Sequence, residues 1–408
     1  MLRLLSIHVD PWHGGAAQIA LTLHKACLND QRFEARFLAG RGRPNPALNI
    51  DTLHSFPYMP HLNVAGFRLG GIEGMFSQRA WRKHLPRIRE EFDVIHLHCA
   101  HGYYLPTELL KQLAKSRLIW TFHDFWAATG RCAVVPDECE GWKQSCRKCA
   151  FKQIYPASIR SDYSSFFRQK RDLWSRMSDT TIVVPSHVFK SQLEPFDLPF
   201  KDIRVIHNGV NTDIFKPAES PEKRKSIKRS LQLPEDNMIQ LVYICNRVEN
   251  PQKGFDLLVE TCRQIDMPFR LIVIGQYSKK LEKIKGLPNI DVLFTGYLQD
   301  KSVLADYLRV SDFFVNPSLK ESFGLTNLEA LACGAVPIVF DLPVFRETIS
   351  NRAFYAESMT SEGLCKTITE ASGNRPNDMP AKRDSYIIDE TFSIQSMIEK
   401  YQDLYYSF

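Results

Sequence analysis

Short apolar runs alternate along this chain with longer amphipathic segments. LRLLSIHV (residues 2–9) reads as a buried strand, and the small and apolar residues of GGAAQIALTLHKACL (14–28) then fall at helical spacing behind a glycine turn. FEARFLAG (33–40), DVIHLHC (93–99), RLIWTFHD (117–124) and TTIVVPS (180–186) predict further strands, with helical stretches between them. The same alternation restarts in MIQLVYICNRV (238–248), FRLIVIG (269–275), DVLFTG (291–296), DFFVNPS (312–318) and AVPIVF (335–340). Strands alternating with helices imply parallel sheets covered on both faces. Two such series predict an α/β protein of two doubly wound, Rossmann-like domains facing a cleft. Residues 207–237, rich in Pro, Asn, Glu and Lys, mark the boundary. The expected division is 1–207, 208–390, and a tail over 391–408 whose helical apolar spacing docks it back on the first domain.

The length of 408 residues suits two such domains. With 44% hydrophobic and 24% charged residues, a disordered or fibrous chain is excluded. No apolar run reaches the ~18 residues of a membrane span, and the start lacks the pattern of a signal peptide. A cytoplasmic protein is therefore expected. Six of the ten cysteines are isolated, several within apolar stretches, as suits small reduced hydrophobes. The net charge of +6 comes entirely from the N-terminal half. That half suits an anionic partner such as a phosphorylated lipid or the inner-membrane surface, or carries ordinary solvated charge. Segment 78–92, QRAWRKHLPRIREEF, has the same two readings, with Pro86 interrupting it. Nothing in the motifs points to nucleic acid.

In open parallel sheets, ligands bind beyond the carboxyl ends of the strands. The block NPSLKESFGLTNLEALACGAVPIVF (316–340) places Glu321 in a loop after a strand, a helix start near Gly324, and Glu329 one to two turns in. The amides of Ser322, Phe323, Gly324, Leu325 and Thr326 would point out of that start, where a diphosphate fits. A carboxylate there would repel phosphate, so Glu321 is expected to accept bonds from sugar hydroxyls. In CNRVENPQKGF, Arg247 and Lys253 are two cations at one sheet end that could neutralise a departing diphosphate. Gly275 follows another strand and permits close backbone approach, or simply makes a turn. Gly14-Gly15-Ala16 lacks the third spaced glycine of a dinucleotide fingerprint but could admit a phosphate or sugar.

His123 ends a strand of the first series, where it could hold a sugar hydroxyl or be a packed structural histidine. His96 and His98 share one strand face, and two ligands without a third argue for packing over metal. No Asp-x-Asp occurs in the chain, so metal-independent chemistry is expected. Cys132, Cys139, Cys146 and Cys149, spaced Cys-x6-Cys-x6-Cys-x2-Cys, could bind a structural zinc or remain a loop of reduced thiols.

These motifs resemble the retaining glycosyltransferases of family 4, which have the GT-B fold. The resemblance rests on the N-terminal Gly-Gly, His123, NGVNTDIF, Arg247 with Lys253, and the Glu-x7-Glu block. TFHDFWAATGRCAVVPDECEGWKQSCRKC (121–149) is similar to a narrower group that builds colanic acid, O-antigen and exopolysaccharide in bacteria. The resemblance implies transfer of a sugar from a GDP- or UDP-linked donor, held by the C-terminal domain, to a lipid-linked saccharide held by the N-terminal one. It gives Arg247 and Lys253 the diphosphate, Glu321 the donor sugar, Glu329 the ribose, His123 the sugar and Gly15 the phosphates. Asp341-Leu342-Pro343 stands where the family often has a Gly-rich turn, while Glu347 keeps its usual place. A GT-B nucleotide-sugar epimerase and an inactive nucleotide-sugar-binding subunit are the alternatives.

Overall fold

The structure is a computed structural model and describes residues 1–54, 58–374 and 388–407. The chain divides into two compact units, one of Met1–Ile206 with Ile398–Phe408 and one of His207–Met397.

The first unit is built on an all-parallel sheet in the order β3-β2-β1-β4-β5-β6-β7. Its strands are β1 (Leu2–His8), β2 (Phe33–Ala39), β3 (Ile50–Thr52), β4 (Val94–Leu97), β5 (Arg117–Thr121), β6 (Thr181–Val184) and β7 (Asp202–Val205). Strands β4 and β6 are buried along their whole length, which is why they read as unbroken apolar runs rather than alternating ones. Helices α1 (Gly15–Leu28), α2 (Met59–Gly70), α3 (Gln78–Glu91), α4 (Thr107–Leu113), α5 (Ser164–Ser175) and α6 (His187–Leu193) connect them. Trp81, Trp120, Trp126 and Trp174 are among the largest side chains in its core.

The second unit has the order β10-β9-β8-β11-β12-β13, again parallel. Its elements are α7 (Pro221–Ser230), β8 (Ile239–Arg247), α8 (Phe255–Gln264), β9 (Phe269–Gln276), β10 (Ile290–Gly296), α9 (Lys301–Val310), β11 (Phe313–Asn316), α10 (Leu325–Cys333), β12 (Val336–Phe340), α11 (Pro343–Thr348), β13 (Phe354–Ala356) and α12 (Ser361–Ser372). Two doubly wound α/β units of this kind define the GT-B fold. The Pro- and Lys-rich stretch 207–237 is not a free linker: it lies in the second unit and contains α7, capped by Ser220.

The terminal helix α13 (Ile394–Tyr406) begins in the second unit and finishes in the first. In the first unit, Tyr405 Oη lies 2.7 Å from His96 Nδ1, and Tyr401 Oη lies 3.0 Å from Thr121 Oγ1. Thr121 Oγ1 is in turn 2.8 Å from His96 Nε2, so both nitrogens of this buried imidazole are engaged within the protein. Residue 408, the last of the expected terminal segment, lies outside the described residues.

Helix α3 runs through Pro86 without interruption. It turns Trp81, Leu85 and Ile88 into the core and leaves Arg79, Arg82, Lys83, Arg87 and Arg89 exposed. Its apolar side is therefore committed to the fold.

Candidate active site

The carboxyl edge of the second sheet brings several charged residues near one another. Strand β8 ends at Arg247, which pairs with Gln276 of β9 and is exposed. The chain then turns through Pro251–Lys253 and enters α8 at Gly254, whose φ is 66°. A Cβ at Gly254 would sit 1.9 Å from the carbonyl oxygen of Pro317, so only glycine lets this turn approach the loop after β11 so closely. The loops are stitched by Leu319 N–H donating to Gln252 O at 2.9 Å. The consequence is an ion pair: Lys253 Nζ donates to Glu321 Oε1.

A polar network fixes Glu321 further. Ser318 Oγ lies 3.1 Å from Glu321 Oε1 and 2.6 Å from Asn316 Oδ1, and Asn316 Nδ2 donates to Asn327 Oδ1 at 2.9 Å. Burial works against the Lys253 ammonium, but the charge and hydrogen bond of Glu321 more than offset it and hold the lysine above its ordinary pKa. Lys253 is thus a fixed cation at neutral pH.

Helix α10 starts at Leu325 directly after Gly324, and the half-exposed Ser322 and Leu325 flank that start. Phe323 is buried and packs near His207 and Phe392, so only its backbone is available there. Glu329 is buried on α10 with Lys301 Nζ 3.5 Å from its Oε1. Gly275 has a structural need: a Cβ there would lie 1.8 Å from Cys245 O, inside the β8–β9 pair. Glu347 on α11 lies 2.9 Å from His207 Nε2.

The carboxyl edge of the first sheet has a different character. His8 ends β1, His98 and His101 follow β4, and His123 and Asp124 follow β5. His123 Nε2 lies 3.1 Å from His98 Nδ1 with the rings stacked. Burial pushes His123 down to about 4, against the pull of Asp124, and pushes His8 and His96 to about 3. His98 is also driven well down by burial and by its neighbouring imidazoles. These four rings are neutral at pH 7.

His101 is the exception. Burial opposes its charge, but Asp124, with Oδ2 2.7 Å from Nε2, raises it well above the ordinary value. Cys99, His101 and Asp124 bring their ligating atoms within 4.8 Å of one another. Asp10 accepts from Trp12 N–H and pairs with His13 and Arg41. Gly15 opens α1, and nothing lies within 4 Å of where its Cβ would be, leaving open space at that helix start.

The structure therefore brings Lys253, Glu321 and the start of α10 together. Arg247 ends the same strand that leads to them, and Gly275 serves the sheet. His123 and Gly15 belong to the first unit. Sequence reasoning passed over Asn316, Ser318, Asn327 and Lys301, and on the first sheet Asp10, His13, Arg41 and His101. The rule of reading residues just after each strand would have reached most of these, since Asp10 and His13 follow β1 immediately.

With this geometry in view, the relatives are informative. Residues 13–214 match the family described as Glycosyltransferase Family 4, and residues 239–374 the family described as Glycosyl transferases group 1. The chain is a member of the GT-B glycosyltransferase superfamily. It is 24% identical over 356 residues to WcaC of Escherichia coli strain K12, named as a colanic acid biosynthesis glycosyl transferase. That match spans 83% of this chain and 82% of WcaC. Against the glycogen synthase of Streptococcus sanguinis strain SK36 it spans only 48% of the relative's length. Among solved structures, sucrose-phosphate synthase (tll1590) from Thermosynechococcus elongatus superposes with a TM-score of 0.70 at 16% identity, covering 99% of this chain and 98% of that one. Anabaena Alr3699/HepE, solved in complex with UDP-glucose, gives a TM-score of 0.70 at 15% identity with both chains covered in full.

Proposed function

We propose that the protein is a metal-independent retaining glycosyltransferase. In this reading it moves a hexose or deoxyhexose from a GDP- or UDP-linked sugar to a lipid-linked saccharide, during assembly of a bacterial surface polysaccharide. The observation that carries it is the meeting of Lys253 and Glu321 beside the start of α10.

Cleavage of the bond between the anomeric carbon and the diphosphate builds positive charge on the sugar and negative charge on the leaving group. Lys253, Arg247 and the amides of Ser322 to Leu325 stabilise the leaving group as fixed dipoles and charges, which need no reorganisation during the reaction. Glu321, held by Lys253 and Ser318, is oriented to accept hydroxyls of the donor sugar, and Glu329 those of the ribose. In the first unit, the reading gives His123 the transferred sugar and Gly15 the phosphates. No carboxylate is assigned as a covalent nucleophile. Retention then follows from attack on the face the diphosphate leaves, with its oxygen taking the acceptor proton.

A lipid-linked acceptor is supported by the surface around α2. Leu62 and Leu69 are seven residues apart on that helix, and both are exposed, as are Ile72, Met75 and Phe76 just beyond it. The basic face of α3 follows directly in the chain. Apolar side chains bordered by cations suit the cytoplasmic face of an anionic membrane. No helix among the described residues is long and apolar enough to cross one.

The test has two stages. GDP- and UDP-sugars are screened for a rise in Tm, and the stabilising donor is then assayed with lipid-linked acceptors. Lys253→Ala and Glu321→Ala should each cut turnover at least about 100-fold while the circular dichroism spectrum is kept. Near-normal transfer in either variant rejects the assignment, and formation of the epimeric sugar from the donor without acceptor would make the protein an epimerase.

A further inference from the structure

We propose that Cys132, Cys139, Cys146 and Cys149 form a structural zinc site that fixes the long loop between β5 and α5. The inference is independent of the activity above, which uses none of these four cysteines.

The loop runs over residues 122–163 and contains only two short 3-10 turns, Phe125–Ala127 and Gly141–Gln144. Loops beyond ~15 residues without secondary structure of their own are uncommon in compact domains and need something to hold them. A hydrophobic core does not do this here: not one residue from 137 to 155 is buried. Three of the four cysteines lie in that stretch. No disulfide links them.

All four cysteines line one cavity of about 720 Å³. The Cys132 and Cys149 thiols act on one another electrostatically. Gly130 N–H donates to Cys146 Sγ at 3.1 Å, and Arg131 Nη2 lies 3.8 Å from Cys149 Sγ. Donors aimed at sulfur stabilise thiolates, the form a metal binds. The four sulfurs do not yet stand at mutual ligating spacing, so uptake requires side-chain rotation into the cavity they share.

Charge provides a second, separate argument. Arg131 and Lys170 are each 1% exposed. Among the described residues neither forms an ion pair: Arg131 donates to carbonyls of Phe151, Ile154 and Pro156, and Lys170 to that of Trp126. Both act electrostatically on the cysteines of the loop. Neither has a carboxylate at ion-pair distance among the described residues, and burial lowers Lys170 to about 7, so both charges are costly where they stand. Zinc bound by four thiolates carries two net negative charges, matching them. Binding takes one Zn²⁺ and releases four thiol protons to solvent. Four soft ligands in a closed set are those of a structural rather than a catalytic zinc.

Full-length protein purified without chelator should contain about one zinc per chain by plasma mass spectrometry. Exchange with Co²⁺ should give thiolate-to-cobalt charge-transfer bands with the visible absorption of a tetrahedral ion. Cys146→Ser and Cys149→Ser should lower zinc at least about tenfold, while Cys365→Ser on α12 retains it. Should the loop variants fail to fold, the wild-type cobalt spectrum decides. Less than about a tenth of an equivalent of zinc with no cobalt–thiolate absorption overturns the proposal. So does iron in its place, or a Cys132–Cys149 disulfide in the intact mass.

Discussion

The two sheets share a topology of parallel strands yet present different chemistry at their carboxyl edges. The second sheet displays Lys253 bonded to Glu321 beside a helix start, so its polar groups stay charged and oriented. The first sheet displays His8, His98 and His123, which burial keeps neutral. The fold supplies the position of a site, and the residues after each strand decide its chemistry.

The contrast is broken most severely at Gly254. Gly254→Ala drives a methyl group against Pro317 O at a left-handed position, which should cost about 3 kcal/mol or more and separate Lys253 from Glu321. Urea denaturation, together with loss of the donor-induced rise in Tm, checks it.

Acidification tests the first sheet. For His8, His96, His98 and His123 the folded pKa lies below the unfolded ~6.5, so the unfolded chain binds more protons between about pH 4 and 6.5. Stability should therefore fall as pH drops through that window, by about 1.4 kcal/mol per unit for each histidine. His101, raised by Asp124, has the opposite sense: its contribution is present below pH ~6.5 and lost as pH rises through its folded value. Glu73, pushed up to about 7 by burial, partly opposes the four histidines at the acid end. Denaturation at pH 7 and pH 5 reads the net slope, and His123→Gln should make it shallower.

Tyr405→Phe removes a partner of buried His96 and should cost about 1–3 kcal/mol, measured the same way. The smallest effect on stability is expected at exposed Arg247. Arg247→Ala should stay within about 0.5 kcal/mol of wild type while weakening the donor-induced rise in Tm.

Most of the architecture was legible because buried parallel strands are apolar throughout. The three strands that escaped notice, β3, β7 and β13, all lie at sheet edges. Each has a neighbour on one side only, none is buried along its length, and each is only three or four residues long. In the site, Glu321 and Lys253 stood out because charged residues directly after apolar strands are conspicuous. Asn316 and Asn327 did not, since their role depends on a contact across eleven residues that neither spacing nor charge reveals. The basic segment 78–92 has a related limit: its apolar spacing shows a buried face without saying what buries it.

The terminal helix has a consequence for how the molecule is made. A ribosome releases the amino-terminal sheet early, with His96 and Thr121 in place but without the two tyrosine hydroxyls that meet them. Those arrive only when residues 401 and 405 emerge, after all of the second unit has been synthesised. The half of the protein that is translated first is thus the half that is completed last, and until then it must wait with an open seam.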